Sequence, residues 1–408
     1  MRLQRGDCAS SIGLRTSSRR RRRTHARIKR RVAIVALLLG SAFTGLVMQP
    51  DNSFAEELVA PRPHLVARPK SSTNTPPAPK AEEPVGATSS MPTQPTRTPG
   101  SAQPQPQPRD PALARVRRAA AIGAVSSWGY QLAGLDIASA AASPYGLLVV
   151  DATTGLGDGN AMSEAQIAQL KHRPDGSRRL VVSYLSIGEA EDYRPDYFSA
   201  EYLEEDAPDW LMHENPQWKG NRIISFCDEG WQRTILGDDD GRSVYNSIEP
   251  SPLYRLIELG LDGVYLDRVD VYSEVGKACP DAARRMVAFV KRLAEHARRR
   301  NPDFLVILQN AEELLQHQDM IETIDAIAKE DLFYGVDHSE KKNDRDLVRE
   351  TLANLALARA AGRPVFFIDY IRSRDKIEDA RRRGAEKGFI AYFGPRDLDR
   401  LWLPKRDF

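Results

Sequence analysis

The chain has 408 residues, 41% of them apolar and 28% charged, and its net charge is only +2. That much apolar material excludes a wholly disordered chain, and the near-neutral total excludes nucleic-acid binding by bulk charge. The charge is uneven: residues 1–31 hold twelve Lys and Arg against one acid, which leaves about −9 on everything after them.

The basic arm leads into an apolar run at 32–48, VAIVALLLGSAFTGLVM, followed by Ser53-Phe54-Ala55 with small residues at −3 and −1 of a cleavage point. This is the layout of a secretory signal peptide with a long basic n-region. Residues 1–55 are therefore read as basic arm plus signal peptide or, because 17 residues reach the lower limit for a bilayer span, as an uncleaved membrane anchor. Both readings leave the arm cytoplasmic and export the rest, to the periplasm or beyond, with membrane contact only through 32–48. An Arg run directly before an apolar segment fits nucleic acid poorly, so no nucleic-acid partner is expected.

Residues 56–119 are rich in Pro, Gln, Thr and Ala, most clearly in the Pro-Gln alternation at 104–108. They read as a disordered tether, having too little apolar surface to offset ordering entropy. The folded domain is expected over 120–408. Candidate strands fall at 123–129, 146–151, 179–186, 222–228, 263–267, 304–310, 325–330, 364–370 and 388–393. Most are buried-type apolar runs, and several are separated by amphipathic helical stretches, notably 281–299 and 344–361. The expected fold is α/β, a single (β/α)8 TIM-type barrel. Nine candidates exceed the eight that a barrel needs, and the first or last is the expected extra. Between 187 and 221 no period is visible, but acids, Trp210 and Trp218 are, as in a substrate-binding loop.

Five of the runs end in carboxylates, at Asp151, Asp228, Asp267, Glu330 and Asp369, and a sixth ends at Asn310. A desolvated carboxylate is costly unless paired, and acids gathered at one end of parallel strands mark the functional face of a barrel. Asp267 closes Gly260-Leu-Asp-Gly-Val-Tyr-Leu-Asp-Arg-Val-Asp270, and Glu330 closes Ile324-Asp-Ala-Ile-Ala-Lys-Glu330. Two carboxylates on separate strand tips suit glycoside hydrolysis, one protonating the leaving oxygen and the other attacking or activating water. Lys329 is expected to point away from Glu330, whose raised pKa would come from an apolar wall such as Phe333 or Tyr334.

Ser183-Tyr-Leu-Ser-Ile-Gly-Glu-Ala-Glu-Asp192 would turn at Gly188 and hang Glu189 and Glu191 over the mouth. The expected catalytic pair is Asp267 and Glu330. Trp128, Tyr130, Asp151, Tyr184, Glu189, Glu191, Asp228, Asp270, Asn310, Asp369 and Tyr370 are expected to bind substrate. No Gly-rich phosphate loop, Gly-x-Ser-x-Gly elbow or His-x-x-x-His occurs, so neither cofactor nor metal is expected. Cys227 and Cys279 either pair as a disulfide or stand as a buried thiol and a loop thiol. The oligomeric state is left open.

Trp128-Gly-Tyr-Gln-Leu, Tyr184-Leu-Ser-Ile-Gly-Glu-Ala-Glu-Asp-Tyr-Arg-Pro195, the Gly260–Asp270 block, Gln309-Asn310 and Lys329-Glu330 occur in an order that resembles the endo-α-1,4-polygalactosaminidase family, glycoside hydrolase family 114, and its bacterial relatives. The resemblance covers the domain from Trp128 onward. It implies a (β/α)8 barrel cleaving a galactosamine-containing polysaccharide, with its carboxylates at Asp267 and Glu330. Leu266, Arg268 and Lys329 depart from the residues usual around that pair, which bears on substrate identity more than on reaction type. A non-catalytic carbohydrate-binding barrel at the cell envelope and a hydrolase of another glycan are the alternatives.

Overall fold

The computed structural model describes residues 110–153, 161–192, 194, 207–242, 250–338 and 340–403. The basic arm, the apolar run at 32–48 and nearly all of the expected linker lie outside them. Among the described residues no helix is long and apolar enough to cross a membrane.

In chain order the elements begin α1 (Pro111–Gly123), β1 (Trp128–Tyr130), α2 (Ile137–Ala141), β2 (Leu147–Val150), α3 (Glu164–Leu170), β3 (Leu180–Ser186), β4 (Glu189–Glu191), β5 (Leu211–Glu214) and β6 (Asn221–Ile224). They continue α4 (Glu229–Leu236), α5 (Pro252–Glu258), β7 (Gly263–Asp267), α6 (Ala282–Arg300), β8 (Leu305–Gln309), α7 (Gln318–Thr323), β9 (Ala326–Glu330), α8 (Arg345–Ala360), β10 (Val365–Asp369), α9 (Arg374–Ala385) and β11 (Ile390–Phe393). Eight strands form one parallel sheet in the order β1-β2-β3-β7-β8-β9-β10-β11. The sheet curls until Trp128 Nε1 on β1 donates to the Ile390 carbonyl on β11, 3.0 Å away. The segment after β11 covers the seam, with the Leu132 amide donating to Leu398 O at 2.8 Å. The fold is a nearly closed (β/α)8 barrel.

The extra candidate strand is neither the first nor the last. Residues 222–228 contribute β6, which pairs antiparallel with β4 and β5 in a separate three-stranded sheet built from the 187–221 excursion. Its apolar run resembled a barrel strand because Ile223, Ile224 and Phe226 are all buried, here under the small sheet. The domain also begins before residue 120. Asp110 caps α1 by accepting from the Ala112 amide, and Pro111 suits the first turn, where its missing N–H costs nothing. Arg118 then donates to Asp325 at 3.1 Å and to the Pro302 carbonyl at 2.6 Å, just before β9 and β8. Helix α1 therefore covers the N-terminal end of the barrel, opposite the acids.

Alternation decides what fills the barrel. Paired positions place Trp128 and Tyr130, Tyr184, Gly263, Tyr265 and Asp267, Gln309, Ala326, Ala328 and Glu330, Phe366 and Tyr392 on the inner side. The rings of Trp128, Tyr130, Tyr265, Phe366 and Tyr392 pack at 5.1–6.3 Å between centroids. Ala326, Ala328 and Gly263 leave the volume that such rings need. On the outside, α6 buries the stripe expected of it, Met286, Phe289, Val290, Leu293 and Ala297. On helix α8, Val348, Thr351, Leu355 and Ala358 face inward, while Leu347 is exposed.

Candidate active site

Asp267 and Glu330 stand at the C-terminal tips of β7 and β9, with β8 between them. Both keep part of their surface open. Two strand spacings put their backbones about 10 Å apart, and inward-leaning side chains bring the carboxyls closer. Each has its own set of donors. The Tyr184 hydroxyl donates to Asp267 Oδ2 at 2.9 Å. The Tyr370 hydroxyl donates to Glu330 Oε1, and Asn310 Nδ2 donates to Oε2 at 3.1 Å. Asn310 also accepts, through Oδ1, from the Glu330 amide and from Lys329 Nζ, both at 3.1 Å. It does so from a left-handed backbone conformation, φ 55°, which asparagine tolerates better than most residues. Lys329 lies on the other side of β9 from the Glu330 carboxyl, with Glu312 Oε2 3.5 Å from its ammonium.

Burial pushes Asp267 up to about 8, helped by the negative charges of Glu330 and then Asp270. Burial and the neighbouring charges therefore favour the neutral form of Asp267 in the empty site. Below the two acids lies a layer of phenols. Tyr130 donates to Gln309 Oε1 at 3.2 Å, and Tyr265 sits against it with no partner for its hydroxyl among the described residues. Burial holds both phenols well above their ordinary pKa, so they are neutral donors. Tyr370 is steadied by Arg396, which lies 4.4 Å from its ring centroid and pairs with Asp331 at 2.7 Å.

The other expected site residues are distributed differently. Asp151 and Glu191 converge on Arg194, a buried guanidinium that pairs with both and lies 5.5 Å from the Tyr184 ring centroid. Thr153 donates to Asp151 through its amide at 3.0 Å and its hydroxyl at 2.9 Å. Glu189 is held by Asn215 at 2.7 Å, Asn221 at 2.9 Å and Arg268 at 2.6 Å. Asp270 is half exposed beside Arg268 at 3.4 Å.

Three expected ligands are buried below or behind the strand tips, and a fourth caps a helix. Trp128 and Tyr130 are buried in the floor because alternation turns them inward below the tips. Asp369 is fully buried, and both its oxygens accept from the Phe333 amide at 3.2 and 3.3 Å, fixing the loop after β9. Asp228 is at no barrel tip: it caps α4, accepting from the Gly230 amide at 2.7 Å. The Cys pair is resolved as well, with Cys227 and Cys279 joined in a disulfide whose Cα atoms are 5.8 Å apart.

The sequence model of Glycoside-hydrolase family GH114 matches residues 109–405. An uncharacterized protein of Deinococcus radiodurans is 34% identical over 286 residues, 69% of this chain and 84% of its own. The chain belongs to glycoside-hydrolase family GH114. A second uncharacterized relative, from Methanocaldococcus jannaschii, is 32% identical over 295 residues, 68% of this chain and 79% of its own. Among solved structures, the glycoside hydrolase domain of PelA from Pseudomonas aeruginosa superposes with a TM-score of 0.51 at 18% identity, covering 68% of this chain and 97% of that domain. At that identity the likeness speaks for the fold, while the family match makes the chain a glycoside hydrolase.

In this GH114 hydrolase three contributors were missed from sequence. Tyr265 had a signal, since it lies two residues before Asp267 and so on the same face. Arg268 and Arg194 had none. The excursion brings Glu189 to Arg268 and Arg194 to Asp151, and no period announces its pairing. Gly188 is required by close approach, because a Cβ there would collide with the Arg268 carbonyl.

Proposed function

We propose that the protein is an exported, endo-acting glycoside hydrolase that cleaves α-1,4 linkages in a galactosamine-containing polysaccharide, with Asp267 and Glu330 as its catalytic carboxylates. The observation that carries this reading is the pair itself: two part-open acids on β7 and β9, each oriented by its own phenol. The substrate class rests on the sequence resemblance, and export rests on the basic arm and apolar run.

Glu330 protonates the glycosidic oxygen while Asp267 attacks the anomeric carbon. The C–O bond breaks, the leaving chain takes the Glu330 proton, and an Asp267 ester forms. Water then attacks that carbon, returning its proton to Glu330 and freeing Asp267. This sequence needs Asp267 ionised, whereas burial favours its protonated form in the empty site. A protonated amine on the bound sugar lowers the cost of charge on Asp267. A cationic substrate therefore favours the ionised nucleophile by binding. Net negative charge around the mouth contributes less than the acid count suggests, because Glu189, Glu191 and Asp151 are partly compensated by Arg268 and Arg194.

The test is incubation of the purified protein with partly deacetylated α-1,4-linked galactosamine polymer, reading products by mass spectrometry. Internal-cleavage oligosaccharides are expected. Retention of polymer without products would replace the hydrolase with a binding barrel, and neither result would overturn the substrate class.

A further inference from the structure

Four of the five tryptophans of this chain are buried: Trp128, Trp231, Trp402 and Trp210 are all 7% exposed or less. Trp218 is 57% exposed and is the one aromatic among the large exposed apolar side chains described. A single exposed apolar residue is ordinary, so its position must decide. Trp218 sits in the turn between β5 and β6, and that turn is tightly held. Its amide donates to the Asn215 carbonyl at 3.2 Å, and the Asn221 amide donates to the Trp218 carbonyl at 3.1 Å. The Gln217 amide donates to Asn215 Oδ1 at 2.9 Å, and the Gly220 amide to Glu214 Oε1 at 2.7 Å.

The two ends of this turn are the same two asparagines that clamp Glu189, which in turn pairs with Arg268, the residue after Asp267. The small sheet leaves the barrel from the tip of β3, the strand hydrogen-bonded to β7. An exposed indole on a hydrogen-bonded turn is thus joined by polar links, through Asn215 and Asn221 to Glu189 and Arg268, to the Asp267 side of the mouth. Flat rings stack on the apolar faces of sugars, and a turn whose backbone is already ordered pays less to present one.

We propose that Trp218 is a stacking platform for a sugar unit of the bound polymer, at a subsite on the Asp267 side remote from the bond that is cut. This rests on the polysaccharide reading above. A platform of this kind adds affinity for long chains without entering the transition state, so it acts on KM rather than kcat.

The test uses the full chain with partly deacetylated galactosamine polymer and with its short oligomers. Trp218→Ala is expected to raise KM for polymer about three- to tenfold, leave kcat within twofold, and leave short oligomers unaffected. Trp218→Tyr should restore most of the loss. Independently, the uncleaving Glu330→Gln protein should show acrylamide quenching dominated by Trp218, and polymer should protect it. Cleavage by wild type together with an unchanged KM in Trp218→Ala and no protection overturns this inference alone. Absence of both cleavage and binding overturns the polysaccharide reading and this inference with it.

Discussion

Asp267 and Glu330 at the tips of β7 and β9, and Asp151 and Asp369 at the tips of β2 and β10, begin from the same sequence pattern: an apolar run ending in an acid. Their surroundings separate them. Asp151 and Asp369 are 3% and 0% exposed, the first locked to Arg194 and Thr153, the second to the backbone of the β9 loop. Asp267 and Glu330 keep an open edge and receive neutral donors from Tyr184, Tyr370 and Asn310. Acids closed in by a guanidinium or by backbone amides hold the frame; acids with an open edge can meet a substrate. A tip carboxylate is therefore read by its partners rather than by its place on the strand.

The largest effect that could break this contrast is on turnover. Glu330→Gln and Asp267→Asn should each lower kcat by about 10³-fold or more, because the proposed mechanism has each act on the reacting bond. Neither should lower the melting temperature at neutral pH, since no charged partner is orphaned. Retained turnover in either variant would strip the open pair of its role.

The next effect is on stability, at the locked tips. Arg194→Met leaves Asp151 and Glu191 buried without their shared cation, which should cost about 3–5 kcal/mol. Urea unfolding measures it. A loss under about 1 kcal/mol would mean that the network is a solvent-screened surface pair, contrary to its burial.

These two regions also show how far the sequence could be read. Parallel strands buried on both faces leave continuous apolar runs, so the barrel and the tips of β7 and β9 were legible. The run at 222–228 has the same signature yet belongs to the small antiparallel sheet, because burial by a loop excursion looks like burial by a helix layer. Among the acids the pattern could not separate open from locked. Arg194 lies 43 residues from Asp151 in a stretch without period, and the partners of Asp369 are amides that every residue possesses. Trp128 and Tyr130 were misjudged through depth: alternation shows that they face inward, not that they lie below the mouth.

The smallest effect sharpens the contrast most. Both Asp267 and Asp369 are raised, to about 8 and about 7, by burial first. Because their folded values exceed the unfolded value of about 3.9, each supplies stability that is full below that value and is lost as pH rises through its folded one. The contribution of these two acids to melting temperature should therefore fall from about pH 4 to about pH 8 and level off by about pH 9. The second-largest cause at Asp267 is the charge of Glu330, whereas at Asp369 the nearby acid is Asp331. Glu330→Gln should consequently move the Asp267 titration downward from about 8 and leave Asp369 near 7. Carboxyl ¹³C NMR across this range resolves the two. If Asp369 moved by as much as Asp267, the locked acid would be electrostatically part of the site, and the division between frame and chemistry would fail.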